Sequence, residues 1–169
     1  KLQNEFLPFL YPNQYVDFSS KSEACKLAAS LVKEDMTDID ILKTFYTYVT
    51  SHISYDYDKA DFVEAGYLPD VDDTLSTGTG ICFDYAALTT AMLRSQDIPC
   101  KLQIGYSGDV KHAWIDVYIR GRGWVTKAVS FDGDTWKLMD PTFASSGGQS
   151  QEIMQYIGNG SNYKAKYSY

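Results

Sequence analysis

The sequence predicts an α+β domain in which N-terminal helices pack on an antiparallel sheet. Three observations support this prediction. Apolar residues recur at helical spacing through the first half of the 169-residue chain. After Pro99 this spacing gives way to an alternation of period two, which is typical of half-buried strands. Turns rich in glycine and aspartate separate the alternating runs, which favours hairpins.

Two helices are expected ahead of the glycine-rich loop at residues 78–80. The first begins within residues 19–23 and buries a face of alanine and leucine side chains. The second is capped by Thr37 or Asp38, because such side chains accept hydrogen bonds from the first N–H groups of a helix. It ends near His52, which we interpret as a structural histidine favoured by the negative end of the helix dipole.

A third helix begins near Ile81 or Cys82 and ends before Pro99. Cys82 therefore lies in its first turn. Unpaired N–H groups and the positive end of the helix dipole lie there, and both favour the thiolate over the thiol. A structural alternative stays open, since a cysteine often packs as a small buried hydrophobe.

The second half of the chain predicts hairpins, with a short helix before the last strand. The predicted strands are residues 100–104, 112–119, 124–129 and 136–139, with an edge strand at 163–169 and a helix at 151–157. His112 begins the second of these strands. Asp140 follows the fourth, and Pro141 suits a strand end because proline cannot donate to a sheet ladder. We expect His112 and Asp140 on neighbouring strands, facing the cysteine helix.

Cys82, His112 and Asp140 are three residue types that can act together. An imidazole can take or share the proton of a thiol, and a carboxylate can fix the tautomer of the imidazole. The motifs that carry them are Gly80-Ile81-Cys82, His112-Ala113-Trp114 and Asp140-Pro141-Thr142. In these motifs the chain resembles the transglutaminase-like superfamily, over about residues 38–144.

The resemblance implies a papain-like core with a Cys82, His112 and Asp140 triad. It also implies acyl transfer at amide or peptide bonds through a thioester intermediate. Water as the final acceptor would make a peptidase or amidase, and a lysine amine would make a cross-linking transglutaminase. The triad is shared by both outcomes and does not distinguish them. A single compact domain favours hydrolysis, or a substrate in a microbial envelope.

Three aromatic residues are candidates for lining the site or donating to an oxyanion: Tyr55, Tyr57 and Trp114. The family often has a similar tyrosine-rich stretch between the second helix and the cysteine loop. The alternative is that the tyrosines pack beneath a loop. Relatives that have lost the triad serve as binding modules, so a non-catalytic peptide- or glycan-binding module is a further alternative.

Composition and charge exclude several classes of partner. The chain carries 15 lysines and arginines against 22 aspartates and glutamates, a formal charge of −7. With no basic cluster, it gains little from releasing phosphate counterions, so no nucleic-acid partner is expected. No apolar run approaches the ~20 residues of a membrane-spanning helix. We expect a protein, peptide or cell-wall peptide as substrate.

No metal or cofactor is expected. The three cysteines lack the paired spacing of a zinc site. Asp70, Asp72 and Asp73 are interpreted as a solvated acidic loop, with calcium binding left open. If the protein is exported, Cys25 and Cys100 are a possible disulfide pair.

We divide the chain into an extended arm or linker at residues 1–20 and a domain at residues 21–169 with its core at 38–144. The chain begins at Lys1. An export signal that has been removed is compatible with this start. Export to the cell envelope and a cytoplasmic location therefore both stay open.

Overall fold

The computed structural model describes residues 5–62, 66–107, 110–132, 135–138 and 164–169. Within these ranges it confirms the α+β class. The helical half of the chain packs on an antiparallel sheet, with one central helix in contact with three of the strands.

The helices agree with the sequence at three places and differ at two. They are α1 (Glu23–Leu31), α2 (Asp38–His52), α3 (Tyr57–Phe62), α4 (Val71–Thr77) and α5 (Cys82–Ser95), preceded by a 3-10 turn at Leu7–Phe9. The predictions of α1, α2 and α5 are confirmed. The short helices α3 and α4 were not predicted.

Among the described residues, seven strands form two sheets. They are β1 (Ser54–Tyr55), β2 (Thr79–Gly80), β3 (Cys100–Ser107), β4 (Val110–Ile119), β5 (Gly123–Asp132), β6 (Thr135–Leu138) and β7 (Lys164–Ser168). β1 and β2 pair in parallel. The other five form one sheet in the order β6-β5-β4-β3-β7, with antiparallel neighbours throughout. β7 lies at the edge, as the sequence predicted.

One segment takes a form that the sequence did not predict, and one local interpretation is wrong. Tyr57 begins α3. The acidic residues were interpreted as a loop, but Asp70 caps α4, and its side chain accepts a hydrogen bond of 3.0 Å from the N–H of Asp73. Aspartate at the N-cap and in the first turn stabilises a helix start, which explains the cluster. Within the described ranges, no group of His, Cys, Asp and Glu is arranged to hold a metal ion.

Helix α5 is the centre of the fold. Every residue from Cys82 to Arg94 is buried, as expected of a helix that is covered on all sides. It contacts α1, α2 and α4 on one side and β3, β4 and β5 on the other. Small side chains at Ala86, Ala87 and Ala91 are fully buried, which lets these neighbours approach closely.

The cysteines and the N-terminal arm complete the description. Cys25, Cys82 and Cys100 are all buried and form no disulfide, so the pairing of Cys25 with Cys100 is absent here. The arm contacts the sheet through Phe9, whose ring packs edge-on against Trp124 with centroids 5.6 Å apart. No helix in the described part of the chain is both long and apolar enough to cross a bilayer. Asp140 and the predicted helix at 151–157 lie outside the described residues.

Candidate active site

Cys82 is the first residue of α5, as the sequence predicted. Its neighbour Ile81 is extended and ends the loop, and the carbonyl of Ile81 accepts the N–H of Tyr85 at 3.1 Å. The residue Cys82 is 8% exposed. The cysteine therefore combines a helix N-terminus, which favours a thiolate, with a largely buried environment.

A two-stranded parallel ladder brings Tyr55 beside the cysteine loop. Tyr55 lies opposite Gly80 in the register of β1 and β2. The N–H of Ser54 donates to the carbonyl of Gly78 at 2.8 Å, and the N–H of Asp56 donates to the carbonyl of Gly80 at 2.9 Å. These backbone bonds hold Tyr55 next to a residue that is two positions before Cys82. The chain between α2 and α3 is thus part of the site's framework.

The candidate tyrosines form a small aromatic group. The rings of Tyr55 and Tyr57 meet edge to face with centroids 5.0 Å apart, and Tyr57 is 59% exposed. The hydroxyl of Tyr85 donates to the carbonyl of Ile53 at 2.7 Å. Burial, aided by the nearby phenols of Tyr55 and Tyr57, raises the pKa of Tyr85 to about 12. Tyr85 is therefore occupied in joining α5 to the end of α2, whereas Tyr57 reaches the surface.

His112 lies near the start of β4, a strand that packs on α5. It is 9% exposed and lies opposite Gly105 of β3. Because glycine has no side chain, the position beside His112 on β3 presents only backbone. The chain's other histidine, His52, is exposed at the end of α2 and stacks on Tyr48, with centroids 3.9 Å apart. His112 is therefore the buried histidine of the chain, and it lies on a strand that packs on the cysteine helix.

Trp114 follows His112 on the same face of β4, since successive side chains of a strand alternate. It is 4% exposed and pairs in register with Gln103 of β3 and Ser130 of β5. The ammonium group of Lys127 lies 5.4 Å from the centroid of its ring. Trp114 is thus a buried aromatic side chain on the same face of β4 as His112.

Asp140 lies outside the described residues, so its role stays a prediction. The strand that precedes it, β6, pairs with β5, and β5 pairs with β4. The expectation of neighbouring strands for His112 and Asp140 therefore does not hold for β4 and β6, because β5 lies between them.

Lys59, Tyr67 and Asp84 form a polar cluster at the start of α5. This cluster was not predicted from the sequence. The carboxylate of Asp84, which is fully buried, accepts a hydrogen bond of 2.9 Å from the N–H of Ile81. It also accepts a hydrogen bond from the hydroxyl of Tyr67. The ammonium group of Lys59 forms an ion pair with the same carboxylate at 3.0 Å.

This polar cluster shifts the pKa of two of its members. Burial, together with the hydrogen bond to Asp84, raises the pKa of Tyr67 to about 12. Burial alone would lower the pKa of Lys59, but the hydrogen bonds to Tyr67 and Asp84 and the charge of Asp84 raise it. Lys59 is therefore a stable cation and Tyr67 a neutral donor.

The cluster also explains Gly80. A Cβ atom at this position would lie 2.8 Å from the Cβ atom of Asp84, closer than real contacts allow. The loop before Cys82 can approach the first turn of α5 only because residue 80 has no side chain. An aspartate two residues after Cys82 fits the third position of a helix, which is a capping signal. Lys59 and Tyr67 gave no such signal.

Comparison with known proteins gives a family and a fold. Residues 25–141 match the model of the transglutaminase-like superfamily, a range that includes Cys82, His112 and Asp140. The chain is 27% identical over 139 residues to the kyphoscoliosis peptidase of Homo sapiens. This alignment covers 75% of the chain but 19% of the human protein, so the chain spans about a fifth of the length of that curated relative.

Solved structures show the same fold. A candidate cysteine protease from Cytophaga hutchinsonii superposes with a TM-score of 0.58 at 21% identity, over 80% of this chain and 48% of that one. A candidate protease from Parabacteroides distasonis superposes with a TM-score of 0.51 at 16% identity, over 72% of this chain and 28% of that one. These identities establish similarity of fold alone.

Proposed function

The chain belongs to the transglutaminase-like superfamily, and from this premise we propose that it is a cysteine-dependent acyl-transfer enzyme acting on amide or peptide bonds. The observation that carries the proposal is the burial of both residues: Cys82 is the first residue of α5, and His112 lies on β4, a strand that packs on α5. A nucleophile at a helix N-terminus and a nearby imidazole are the parts that thiol catalysis needs.

The proposed reaction has two halves. In the first, His112 takes the proton of the Cys82 thiol, and the sulfur attacks the carbonyl carbon of the amide. The resulting oxyanion collapses and expels the amine, which takes the proton from His112, and a thioester remains on the sulfur. In the second half, His112 takes a proton from the incoming acceptor, which attacks the carbonyl carbon of the thioester. The C–S bond then breaks, the acyl product leaves, and the sulfur takes the proton back from His112. Asp140 would hold the imidazole in the required tautomer.

The oxyanion needs two hydrogen-bond donors. The backbone N–H of Cys82 is the first candidate, because it belongs to the nucleophile and lies at the start of a helix, where N–H groups point out of the helix. Tyr55 is the second candidate, because backbone bonds between β1 and β2 hold it beside Gly80. Tyr57 is a weaker candidate, since 59% of it is exposed.

We propose water as the acceptor, so that the enzyme is a peptidase or amidase. The similar human protein is named a peptidase, and the similar bacterial structures are described as proteases. The alternative is a lysine amine, which would give a protein-glutamine amine transferase. The proposed substrate is a protein, a peptide or a cell-wall peptide.

Labelling of Cys82 tests the nucleophile. Iodoacetamide should alkylate native Cys82 in preference to Cys25 and Cys100, and His112→Ala should slow this alkylation at pH 7 by at least about tenfold. Site-resolved mass spectrometry measures both rates. Cys25→Ala is the matched control and should leave the rate at Cys82 unchanged. Undiminished labelling in His112→Ala would contradict the activated thiol.

Amide turnover tests the reaction. Cleavage of a peptide library should fall by more than about 10³-fold in Cys82→Ala, because removing a nucleophile removes most of the catalysis. A glutamine peptide incubated with a fluorescent amine separates the two acceptors. Ammonia or cleaved peptide without incorporated amine indicates hydrolysis, and incorporated amine indicates the transferase. Binding of peptides without turnover by the wild type would indicate the non-catalytic module.

A further inference from the structure

We propose that Lys59 is a positioning residue that acts through Asp84 to control the reactivity of the Cys82 thiol. This inference rests on the proposed function only in taking Cys82 as a reactive thiol. It assigns a role to the buried polar cluster of Lys59, Tyr67 and Asp84, which the mechanism does not use.

Asp84 is well placed to influence Cys82. It lies two residues further along the first turn of α5, and none of it is exposed. Its carboxylate holds the N–H of Ile81, so it fixes the loop on which the nucleophile begins. A carboxylate in this position stabilises the helix, because it complements the positive end of the dipole. The same negative charge, however, opposes the formation of a thiolate nearby.

Lys59 offsets this second effect. Its ammonium group lies 3.0 Å from the Asp84 carboxylate, and its side chain is 30% exposed. It also lies 4.6 Å from the centroid of the Tyr67 ring. With Lys59 present, Asp84 keeps its hydrogen bonds while its negative charge is neutralised. Without Lys59, the start of α5 would carry an uncompensated buried anion.

The same ion pair also orients the segment that carries the tyrosines. The N–H of Lys59 donates to the side chain of Asp56 at 3.0 Å, and the N–H of Asp56 donates to the carbonyl of Gly80 at 2.9 Å. The chain from Tyr55 to Lys59 is therefore attached to the cysteine loop at Asp56 and to the first turn of α5 at Lys59. Lys59 thus links the electrostatics of α5 to the placement of Tyr55.

Other titratable groups on the segments that pair with the cysteine loop or pack near α5 include Tyr55 of β1, Asp56 before α3, Tyr57 and Asp58 of α3, Tyr67, Tyr85 of α5 and His112 of β4. Asp72 of α4 faces α1 instead, where it accepts the N–H of Ala24 at 3.1 Å. Lys59 is the cation that contacts Asp84 directly.

The test is the pH dependence of Cys82 alkylation in Lys59→Met, Asp84→Asn and the double variant. Lys59→Met should raise the midpoint of the profile by about one pH unit and slow alkylation at pH 7 roughly tenfold. Asp84→Asn removes the negative charge, so the charge change should not slow alkylation of Cys82. The double variant should recover most of the wild-type alkylation rate. Lys26→Met is the matched control, because Lys26 forms an exposed ion pair with Glu23 on α1.

Two results would overturn the proposal. One is a wild-type profile in Lys59→Met. The other is an equal loss in Lys59→Met and in the double variant, which would mean that Lys59 serves only to hold the fold. Lys59→Arg keeps the positive charge and should retain the wild-type midpoint. If Lys59→Met unfolds, a shifted midpoint in a folded Lys59→Arg would contradict the proposal. Because alkylation needs no amide turnover, a wild type that alkylates normally but cleaves nothing would refute the proposed function and leave this inference standing.

Discussion

One buried carboxylate, Asp38, fixes the turn between β4 and β5 against the helical layer. Its side chain is 4% exposed and pairs with Arg120, whose side chain is 81% exposed, at 2.8 Å. The N–H of Arg120 adds a hydrogen bond of 3.0 Å to the same carboxylate. Hydrogen bonds from Arg120 outweigh the burial of Asp38 and hold its pKa below the ordinary value of 3.8.

The Asp38 pair predicts a pH-dependent stability. A carboxyl whose pKa is lower in the folded state stabilises the fold above its ordinary pKa, and this contribution is lost as the pH falls through the folded pKa. Arg120→Met should therefore lower the free energy of unfolding at pH 7. The difference from wild type should shrink as the pH falls below 3.8. Denaturant melts across this pH range measure it, and Arg122→Met is the matched exposed control. A difference that does not change with pH would contradict the assignment.

At the scale of residues, the sequence predicted those whose chemistry is visible in a local motif. Cys82 was predicted at a helix start, and it is the first residue of α5. Lys59 and Tyr67 were missed because they reach Asp84 from 25 and 17 positions away in the sequence. Such a cluster depends on how loops fold back on α5. Local patterns carry no information about that.

At the scale of elements, helix α2 is the best example of a start signal that works as the sequence suggests. The side chain of Thr37 accepts the N–H of Asp40 at 3.2 Å, and the Asp40 side chain accepts the N–H of Thr37 at 3.0 Å. This reciprocal pair satisfies two donors that a helix start leaves unpaired. Residues of α2 such as Phe45 and Val49 then pack in the core.

Thr37→Ala should remove one of these two bonds. We expect it to destabilise the protein by about 1 kcal/mol, the usual effect of losing a threonine cap. Thr47→Ala is the matched control, because Thr47 is exposed in the middle of α2 and caps nothing. Chemical denaturation of the two variants gives the comparison. Equal stabilities would mean that packing of the apolar face alone determines where α2 begins.

Elements were predictable in proportion to their length. The 15 residues of α2 and the 14 of α5 give a clear helical period. The 6 residues of α3 and the 7 of α4 are about two turns or less, too short for that period to emerge. Their existence depends on local caps and on tertiary contacts, such as the ion pair of Lys59 on α3 with α5.

At the scale of the whole molecule, the order of the strands could not be derived from local patterns. Alternation predicted that β3 and β4 form a hairpin, and they do. It did not predict that β7 would join β3 at the edge, because this pairing joins residues 58 to 65 positions apart. The sheet packs on α5 through β3, β4 and β5, and these contacts also join distant parts of the chain.

Arg94 ties together three distant parts of the chain. It is 2% exposed, and its guanidinium group donates to the carbonyls of Cys100, Tyr11 and Tyr169 at distances between 2.7 and 3.0 Å. These carbonyls belong to the start of β3, the N-terminal arm and the residue after β7. Burial lowers the pKa of Arg94. The planar fork of donors suits such a position because it can satisfy several acceptors at once.

Arg94→Met should therefore destabilise the whole molecule, since it removes the guanidinium donors of the buried Cys100 carbonyl and of the part-buried Tyr11 carbonyl. We expect a loss of about 3 kcal/mol, because each unpaired polar group costs about 1 to 3 kcal/mol. The arm should also detach before the core unfolds, so chymotrypsin should cleave after Phe9 under conditions in which the wild type is intact. Arg122→Met, which removes an exposed arginine, should change neither measurement. If Arg94→Met kept a wild-type stability and an uncleaved arm, packing of Phe9 and Trp124 alone would be holding the arm in place.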